Sequence, residues 1–199
     1  MLVLFLGPYN ERITNHIKSF GDEVLNTENG ISEIKAIGLE NIDYIISFGY
    51  RYIIPKEIIE KYNKRIINLH ISLLPWNRGA DPNLWSFLED TPKGVTIHYI
   101  DEGIDTGEII AQKEVKFPDI NLTTLRNSYE TLKIEIVNLF IKVWIDLKAG
   151  KINSKPQNHG GSFHCLKDKR KYDYLLEYGW DTPVAELIGK AKEKIYERN

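Results

Sequence analysis

An asparagine and a histidine stand two residues apart at the end of an apolar run, in the stretch IINLHISLLP. In an extended strand, side chains two residues apart face the same side, so Asn68 and His70 should project together while Leu69 turns into the core. An amide donor beside an imidazole can stabilise a developing oxyanion while the ring handles a proton. This pair is therefore the first candidate for catalysis.

A short acidic loop further along the chain, DEGIDTG, offers partners for the imidazole. Its carboxylates are Asp101, Glu102 and Asp105, and an acidic neighbour would orient the ring and favour its charged form. Gly103 and Gly107 permit the unusual backbone that such a loop requires. Each motif alone is more often structural than catalytic. Their joint occurrence at one edge of a predicted sheet favours a functional site.

Other kinds of catalytic site find little support. His70 and His98 are the plausible metal-binding imidazoles, with His159 and His164 further on, but no H-E-x-x-H or Cys/His ligand spacing occurs. The stretch FLGPYN lacks the glycines of a dinucleotide site, and no G-x-S-x-G elbow is present. We therefore expect no bound metal.

Apolar runs and turn residues indicate an α/β chain in which strands and helices alternate early. The predicted strands are Leu2–Leu6, Glu23–Asn26, Asp43–Phe48, Arg65–Leu69, Gly94–Ile100 and Glu108–Val115. The predicted helices are one after Asn10 with Ile13, Ile17 and Phe20 inside, then Ile31–Ile37, Pro55–Tyr62, a helix containing Trp85–Leu88, Leu122–Leu147 and Pro183–Lys194. This pattern predicts a Rossmann-like open sheet, mostly parallel, with mixed edge strands and a short C-terminal extension.

Ligands of open α/β sheets bind beyond the carboxyl ends of the strands. Asn68, His70, the segment 49–52 and the loop 101–107 should all gather at that edge. We expect a catalytic domain at 1–150 and an extension at 151–199 that contributes to the substrate site.

Composition narrows the class of protein. The chain has 199 residues, 42% of them hydrophobic and 27% charged, with a net charge of −2, which suits a packed domain and not a nucleic-acid binder. The single cysteine, Cys165, cannot form an intrachain disulfide, and a reducing, cytoplasmic location fits best. The N-terminal run MLVLFL is too short for a signal peptide or a membrane span, so we expect a buried strand there and no membrane association.

Two motifs together resemble the folate-dependent formyltransferase family, which includes the glycinamide ribonucleotide, methionyl-tRNA and sugar N-formyltransferases. They are NLHISLLPWNRGA and GVTIHYIDEGIDTGEIIAQ, within a resemblance that runs from about Asp43 to Glu114. The resemblance implies the formyltransferase fold and an Asn-His-Asp triad at Asn68, His70 and Asp105. It also implies N10-formyltetrahydrofolate as formyl donor and no metal.

The resemblance implies where the folate contacts lie and what the triad does. Asn68 and protonated His70 would stabilise the oxyanion, while Asp105 would hold His70 charged and assist proton removal from the attacking amine. The implied folate contacts lie in two segments, Tyr50, Arg51, Tyr52 and Ile54 after one strand, and Ile100, Asp101, Glu102 and Gly103 after another.

The loop after the triad strand looks most like that of the sugar N-formyltransferases, which act on nucleotide-linked amino sugars. The expected substrate contacts are Trp76, Asn77, Arg78, Gly79, Asp81 and Asn83 in this loop, and His164, Lys167 and Lys169 in the tail. The tail also resembles this branch. We expect dTDP-4-amino-4,6-dideoxyglucose as acceptor, its product feeding surface polysaccharide such as lipopolysaccharide O-antigen.

Two alternatives stay open at this point. A glycinamide ribonucleotide formyltransferase of purine synthesis would need a monophosphate pocket near residues 7–10. A non-catalytic folate- or nucleotide-binding protein would keep the fold without turnover, although an intact triad speaks against it. Homodimerisation is left open as well, because dimers in parts of this family use C-terminal elements.

Overall fold

The computed structural model describes residues 1–30 and 38–196. The fold divides into two compact units that interleave along the chain. The first comprises Met1–His70, Ile97–Ala111 and Ile136–Pro156, and the second Ile71–Thr96, Gln112–Glu135 and Gln157–Asn199. The functional division at residue 150 stays a prediction, as both units draw on the chain before and after it.

The strands of the described residues form two sheets. The larger sheet contains six strands: β1 (Leu2–Leu6), β2 (Glu23–Thr27), β3 (Tyr44–Ser47), β4 (Ile66–His70), β6 (Gly94–Tyr99) and β7 (Ile109–Glu114). Their order across the sheet is β2-β1-β3-β4-β6-β7. β1 pairs in parallel with β2 and β3, and β3 with β4. A second sheet joins two short parallel strands, β5 (Arg78–Gly79) and β8 (Phe163–His164). The predicted α/β class with a mostly parallel sheet is confirmed.

The helices mostly follow the predicted order. They are α1 (Glu11–Lys18), α2 (Lys56–Lys61), α3 (Pro82–Leu88), α4 (Leu125–Lys148) and α5 (Lys190–Tyr196). As expected, Asn10 caps α1, its side chain accepting a hydrogen bond from the Ile13 amide at 3.1 Å. The placement of Phe20 on the inner face of this helix was wrong, because α1 ends at Lys18 and Phe20 is 40% exposed. The helix predicted at Ile31–Ile37 lies outside the described residues.

Burial explains why the early strands could be predicted from the sequence. The side chains from Val3 to Leu6 and from Tyr44 to Ile46 are buried on both faces of the sheet, which requires continuous apolar runs instead of alternation. Each unit has a core of its own, one around Tyr62 and Ile66 and one around Trp85. Among residues 1–30 and 38–196, no helix is both long and apolar enough to span a membrane.

Candidate active site

Strand β4 presents the predicted amide and imidazole at its carboxyl end. Asn68 and His70 lie two positions apart, with Leu69 buried between them on the opposite face. β4 is held by its neighbours, since Ser47 is its register partner at Asn68 and the Ile100 amide donates to the Ile66 carbonyl at 3.0 Å. Asn68 and His70 therefore lie on an inner strand that is hydrogen-bonded on both sides.

The acidic loop after β6 is folded by its own side chains and glycines. Asp101 Oδ1 accepts hydrogen bonds from the Gly103 amide at 3.1 Å and from Thr106 Oγ1 at 2.6 Å. A Cβ on Gly107 would lie 1.9 Å from the Tyr99 carbonyl oxygen, so only glycine fits there. Asp105 adopts a left-handed backbone with φ of 53°, a conformation that aspartate tolerates better than most residues. The turn thus directs Asp105 inward while Asp101 maintains the loop.

The structure brings the three predicted catalytic side chains together. Asn68 Nδ2 donates to Asp105 Oδ1 at 3.1 Å, and His70 Nδ1 lies 3.6 Å from Asp105 Oδ2. Each carboxylate oxygen therefore faces a different partner. The His70 and Asp105 side chains are 8% and 12% exposed, so the Asp105 carboxylate acts on the His70 ring in a poorly hydrated setting. This arrangement suits oxyanion stabilisation coupled to proton transfer, and the individual roles stay predictions.

A fourth polar side chain, His98, belongs to the same cluster. Its Nε2 lies 3.4 Å from Asp105 Oδ1 and 3.4 Å from Asn68 Nδ2, while its Nδ1 lies 2.7 Å from the Tyr99 carbonyl oxygen. Sequence reasoning considered this residue only as a metal ligand. The available signal was its place in β6, since strand alternation could turn His98 toward the same space as Asn68 once the two strands are neighbours.

The first segment of expected folate contacts follows β3. The Tyr50 hydroxyl donates to the Asn29 carbonyl at 2.9 Å, and the rings of Tyr50 and Tyr52 lie 5.4 Å apart. Burial, followed by the neighbouring Tyr52, raises the pKa of Tyr50, so its hydroxyl stays a donor at neutral pH. Tyr52 and Ile53 are exposed, Arg51 is exposed beside them and Ile54 is buried. The segment thus presents apolar and aromatic surface to solvent.

The second expected folate segment is the start of the acidic loop. Ile100 continues the sheet through its bond to β4, and Asp101 and Gly103 shape the turn as described. Glu102 forms an ion pair with Lys56 at 2.6 Å, between two exposed side chains. These residues lie in the same unit as the triad, and their contacts with a folate stay predictions.

In the second unit, the loop after β4 is built against the chain's tail. The Arg78 amide donates to the Ser162 carbonyl at 3.0 Å and the Ala80 amide to the His164 carbonyl at 2.9 Å, which forms the β5–β8 pair. A Cβ on Gly79 would lie 2.4 Å from the His164 carbonyl oxygen, so the close approach requires glycine. Two groups of predicted substrate residues, far apart in sequence, therefore come together.

Two of the predicted substrate side chains are deeply buried in this unit. Asn77 is 0% exposed, donates to Thr91 Oγ1 at 2.9 Å and accepts from Ser162 Oγ at 3.2 Å. Asn83 is 2% exposed and donates to the Leu125 carbonyl and to Ser128 Oγ. Both amides stabilise the unit's own structure.

Other side chains of the loop are more accessible. Trp76 is 36% exposed. The Arg78 guanidinium donates a long 3.5 Å bond from Nη2 to the Gly160 carbonyl, and its buried Nε has no hydrogen-bond partner among the described residues. An arginine with unused donors is suited to a phosphate or carboxylate ligand.

The tail residues differ in their surroundings. Lys169 forms an ion pair with Asp81 at 3.0 Å, and Lys167 is exposed. His164 is 8% exposed, stacks on Trp85 and points Nε2 at Glu89. In the part of the chain that the structure describes, no group of three or more His, Cys, Asp or Glu side chains is arranged to hold a metal ion.

Comparison with known proteins identifies the family. The sequence profile of the formyl transferase family matches residues 22–141, more than half of the chain. The chain belongs to the formyltransferase family. Methionyl-tRNA formyltransferase of Thermodesulfovibrio yellowstonii is 39% identical over 137 residues, covering 68% of this chain and 42% of that protein. The chain spans about half the length of the curated relatives it matches.

Solved structures place the chain near one branch of this family. It resembles the formyltransferase PseJ of Anoxybacillus kamchatkensis, with 56% identity, a TM-score of 0.91, and coverage of 96% of this chain and 100% of PseJ. That structure is a complex with UDP-4,6-dideoxy-4-formamido-L-AltNAc and tetrahydrofolate. A sugar N-formyltransferase from a Shewanella species shares 25% identity, with a TM-score of 0.69 and coverage of 86% and 79%. The predicted resemblance to sugar N-formyltransferases is confirmed.

Proposed function

We propose that this protein transfers a formyl group from N10-formyltetrahydrofolate to the amino group of a nucleotide-linked amino sugar. The observation that carries the proposal is the convergence of Asn68 and His70 on the carboxylate of Asp105. The 56% identity to PseJ, over nearly the whole of both chains, supports the sugar branch over the other acceptors.

The residues around the triad fit a folate. Exposed aromatic and apolar side chains, Tyr52 and Ile53, follow β3, and Ile104 of the acidic loop is 52% exposed. Flat apolar surface of this kind suits the pterin and benzoyl rings, while backbone groups of the two loops can read the pterin edge. When bound, the folate supplies the formyl group as an electrophilic carbonyl.

The chain's own residues account for the chemistry of transfer. An amide N–H of Asn68 and the charged ring of His70 stabilise the negative charge that grows on the formyl oxygen during attack. Asp105 balances the charge of His70 and takes the proton that the attacking amine gives up. No metal is required for any of these roles.

For the acceptor, we propose a nucleotide-linked 4-amino-4,6-dideoxy sugar. The sugar nucleotide bound in PseJ is a UDP sugar with a 4-formamido group, which supports a uridine nucleotide and a 4-amino position. The expected dTDP-4-amino-4,6-dideoxyglucose shares the 4-amino-4,6-dideoxy pattern, and the dTDP link stays a prediction. Arg78, with unused donors, is the best candidate for contact with the diphosphate.

The test is mass spectrometry of the purified protein with N10-formyltetrahydrofolate and a panel of amines. The panel holds UDP- and dTDP-linked 4-amino and 3-amino sugars, glycinamide ribonucleotide and methionyl-tRNA. A mass gain of one formyl group on a 4-amino sugar nucleotide is expected. Formylation of the ribonucleotide or the tRNA alone would overturn the proposal, and folate binding without any product would favour a non-catalytic binder.

A further inference from the structure

His98 is the fourth member of the polar cluster, and its surroundings define which ring nitrogen carries a hydrogen. The imidazole is 1% exposed, and it faces the Tyr99 carbonyl, the Asn68 amide, the Asp105 carboxylate and the His70 ring, which lies nearly perpendicular to it. A carbonyl oxygen only accepts hydrogen bonds. At 2.7 Å from that oxygen, Nδ1 must carry a hydrogen.

The other ring nitrogen is consequently a base in neutral His98. With the hydrogen on Nδ1, Nε2 of a neutral His98 has no hydrogen; it lies 3.4 Å from Asn68 Nδ2, from which it can accept a hydrogen bond, and 3.4 Å from Asp105 Oδ1. The two hydrogens of the Asn68 amide then point at two acceptors, Asp105 Oδ1 and His98 Nε2. The amide bridges the carboxylate and the ring.

Asp105 thus lies between two imidazoles, one at each carboxylate oxygen. His70 Nδ1 faces Oδ2 at 3.6 Å, and His98 Nε2 faces Oδ1 at 3.4 Å. If His70 carries the charge that Asp105 balances, His98 is the neutral ring of the two and its Nε2 can accept a proton. A single carboxylate thereby connects a proton donor to a proton acceptor.

We propose that His98 is a positioning residue that acts through Asp105 and holds the proton released by the attacking amine; this inference rests on the proposed formyl transfer. The amine nitrogen would bond to the formyl carbon, and the bond from that carbon to N10 of the donor would break. The amine N–H bond breaks, its proton passes to Asp105 Oδ1 and then to His98 Nε2, and Asp105 keeps its negative charge. His70 gives its own proton to the departing nitrogen. The stored proton then returns from His98 through Asp105 to His70, which restores the starting state.

The same transfer affects Asn68. Once Nε2 carries a proton it no longer accepts a hydrogen bond, so one hydrogen of the Asn68 amide is released. That hydrogen becomes available as negative charge develops on the formyl oxygen. Proton storage on His98 and oxyanion stabilisation by Asn68 are therefore coupled.

The first test reads the tautomer directly in the wild-type protein. In ¹⁵N NMR spectra of histidine-labelled protein at neutral pH, His98 should show a protonated Nδ1 and an unprotonated Nε2. The ring signals of His98 are assigned by through-bond correlation to its backbone. The test therefore needs no variant that might fail to fold. A proton on Nε2 in the free protein would overturn the proposal, whether or not the protein formylates any sugar.

The second test separates proton storage from mere support of Asp105. In His98→Gln, an amide of similar reach can still hydrogen bond to Asp105 but cannot take up its proton. We expect kcat to fall about 10²-fold or more, with both KM values and the melting temperature close to wild type. His159→Gln, at an exposed histidine, should leave kcat unchanged. A His98→Gln enzyme with kcat within threefold of wild type would refute proton storage; absence of turnover in the wild type would instead refute the proposed function.

Discussion

His164 lies flat on the indole of Trp85, with ring centroids 3.7 Å apart and ring planes at 5° to each other. Its Nε2 is 3.3 Å from a Glu89 carboxylate oxygen, so one buried ring is held by stacking and by a charged partner. Since the His164 backbone pairs with Ala80, this anchor also holds the loop that carries Arg78.

The Glu89 carboxylate should make stability depend on pH. Burial acts to raise the pKa of Glu89, but interactions with His164 and Ser162 and the charge of Lys192 together outweigh it, and the pKa lies below its ordinary value of 4.5. A depressed carboxylate pKa stabilises the folded state above the unfolded pKa, and this contribution is lost as the pH falls through the folded pKa. The destabilisation of Glu89→Gln relative to wild type should therefore be largest at neutral pH and shrink below about pH 4.5.

Urea unfolding at a series of pH values measures that difference. Glu177→Gln, at an exposed glutamate, is the matched control and should show no such trend. A Glu89→Gln effect that stays constant from neutral pH to pH 3 would contradict the assignment.

The triad residues should be needed for turnover and not for folding. Asn68→Ala should lower kcat about 10²- to 10³-fold, the usual effect of removing one oxyanion donor. Asp105→Asn removes the charge and one acceptor oxygen without straining the backbone, because asparagine also accepts the left-handed conformation at this position. His70→Ala should abolish activity.

Circular dichroism should show native folding for each of these variants, and the variant Asn63→Ala, at an exposed asparagine, should behave as wild type. Near-normal turnover by His70→Ala would exclude the mechanism.

A neighbouring pair of glycines tests how the tail meets the loop. Gly160 and Gly161 both have positive φ, of 105° and 85°, so alanine strains either one by about 1–2 kcal/mol. Only at Gly161 would the new Cβ also clash, 2.0 Å from the Pro75 carbonyl oxygen, whereas at Gly160 nothing lies within 4 Å. Gly161→Ala should thus lower the melting temperature more than Gly160→Ala. Equal losses would show that the tail yields at this point.

Arg78 should affect the acceptor and not the folate. Arg78→Lys keeps the charge but loses the planar fork that binds phosphate through two hydrogen bonds. We expect KM for the sugar nucleotide to rise about tenfold, with kcat and the folate KM nearly unchanged. Arg126→Lys, which changes an exposed ion pair with Asp181, is the control. An unchanged acceptor KM would remove Arg78 from the diphosphate site.

Much of the first unit could be predicted because its strands obey a simple physical rule. A strand buried on both faces must be apolar throughout, so β1 was expected at its observed bounds, Leu2–Leu6. The position of Asn68 and His70 at the end of β4 followed in the same way. Alternation alone could not decide between Asp101 and Asp105 as the partner of His70, and the family resemblance supplied that choice.

The pairing of distant segments could not be predicted. β5 and β8 span only Arg78–Gly79 and Phe163–His164, too short for any periodic signal. The place of His98 in the cluster was not predicted for a related reason. Its contacts depend on β6 lying beside β4, and a local sequence pattern does not determine the order of strands in a sheet. Contacts between side chains on the same strand could thus be predicted from the sequence pattern. Contacts that depend on which distant segments pair could not be predicted from that pattern.

The β5–β8 pair also sets an order of events during synthesis. Asn77 and Ser162 are hydrogen-bonded across a separation of 85 residues, so the loop after β4 cannot pair with the tail while the intervening chain is still being made. Closing so long a segment is slow and costs chain entropy before any contact repays it. As the polypeptide leaves the ribosome, the strands β1 to β4 can assemble well before this loop. The candidate acceptor loop is therefore among the last parts of the molecule to acquire its final shape.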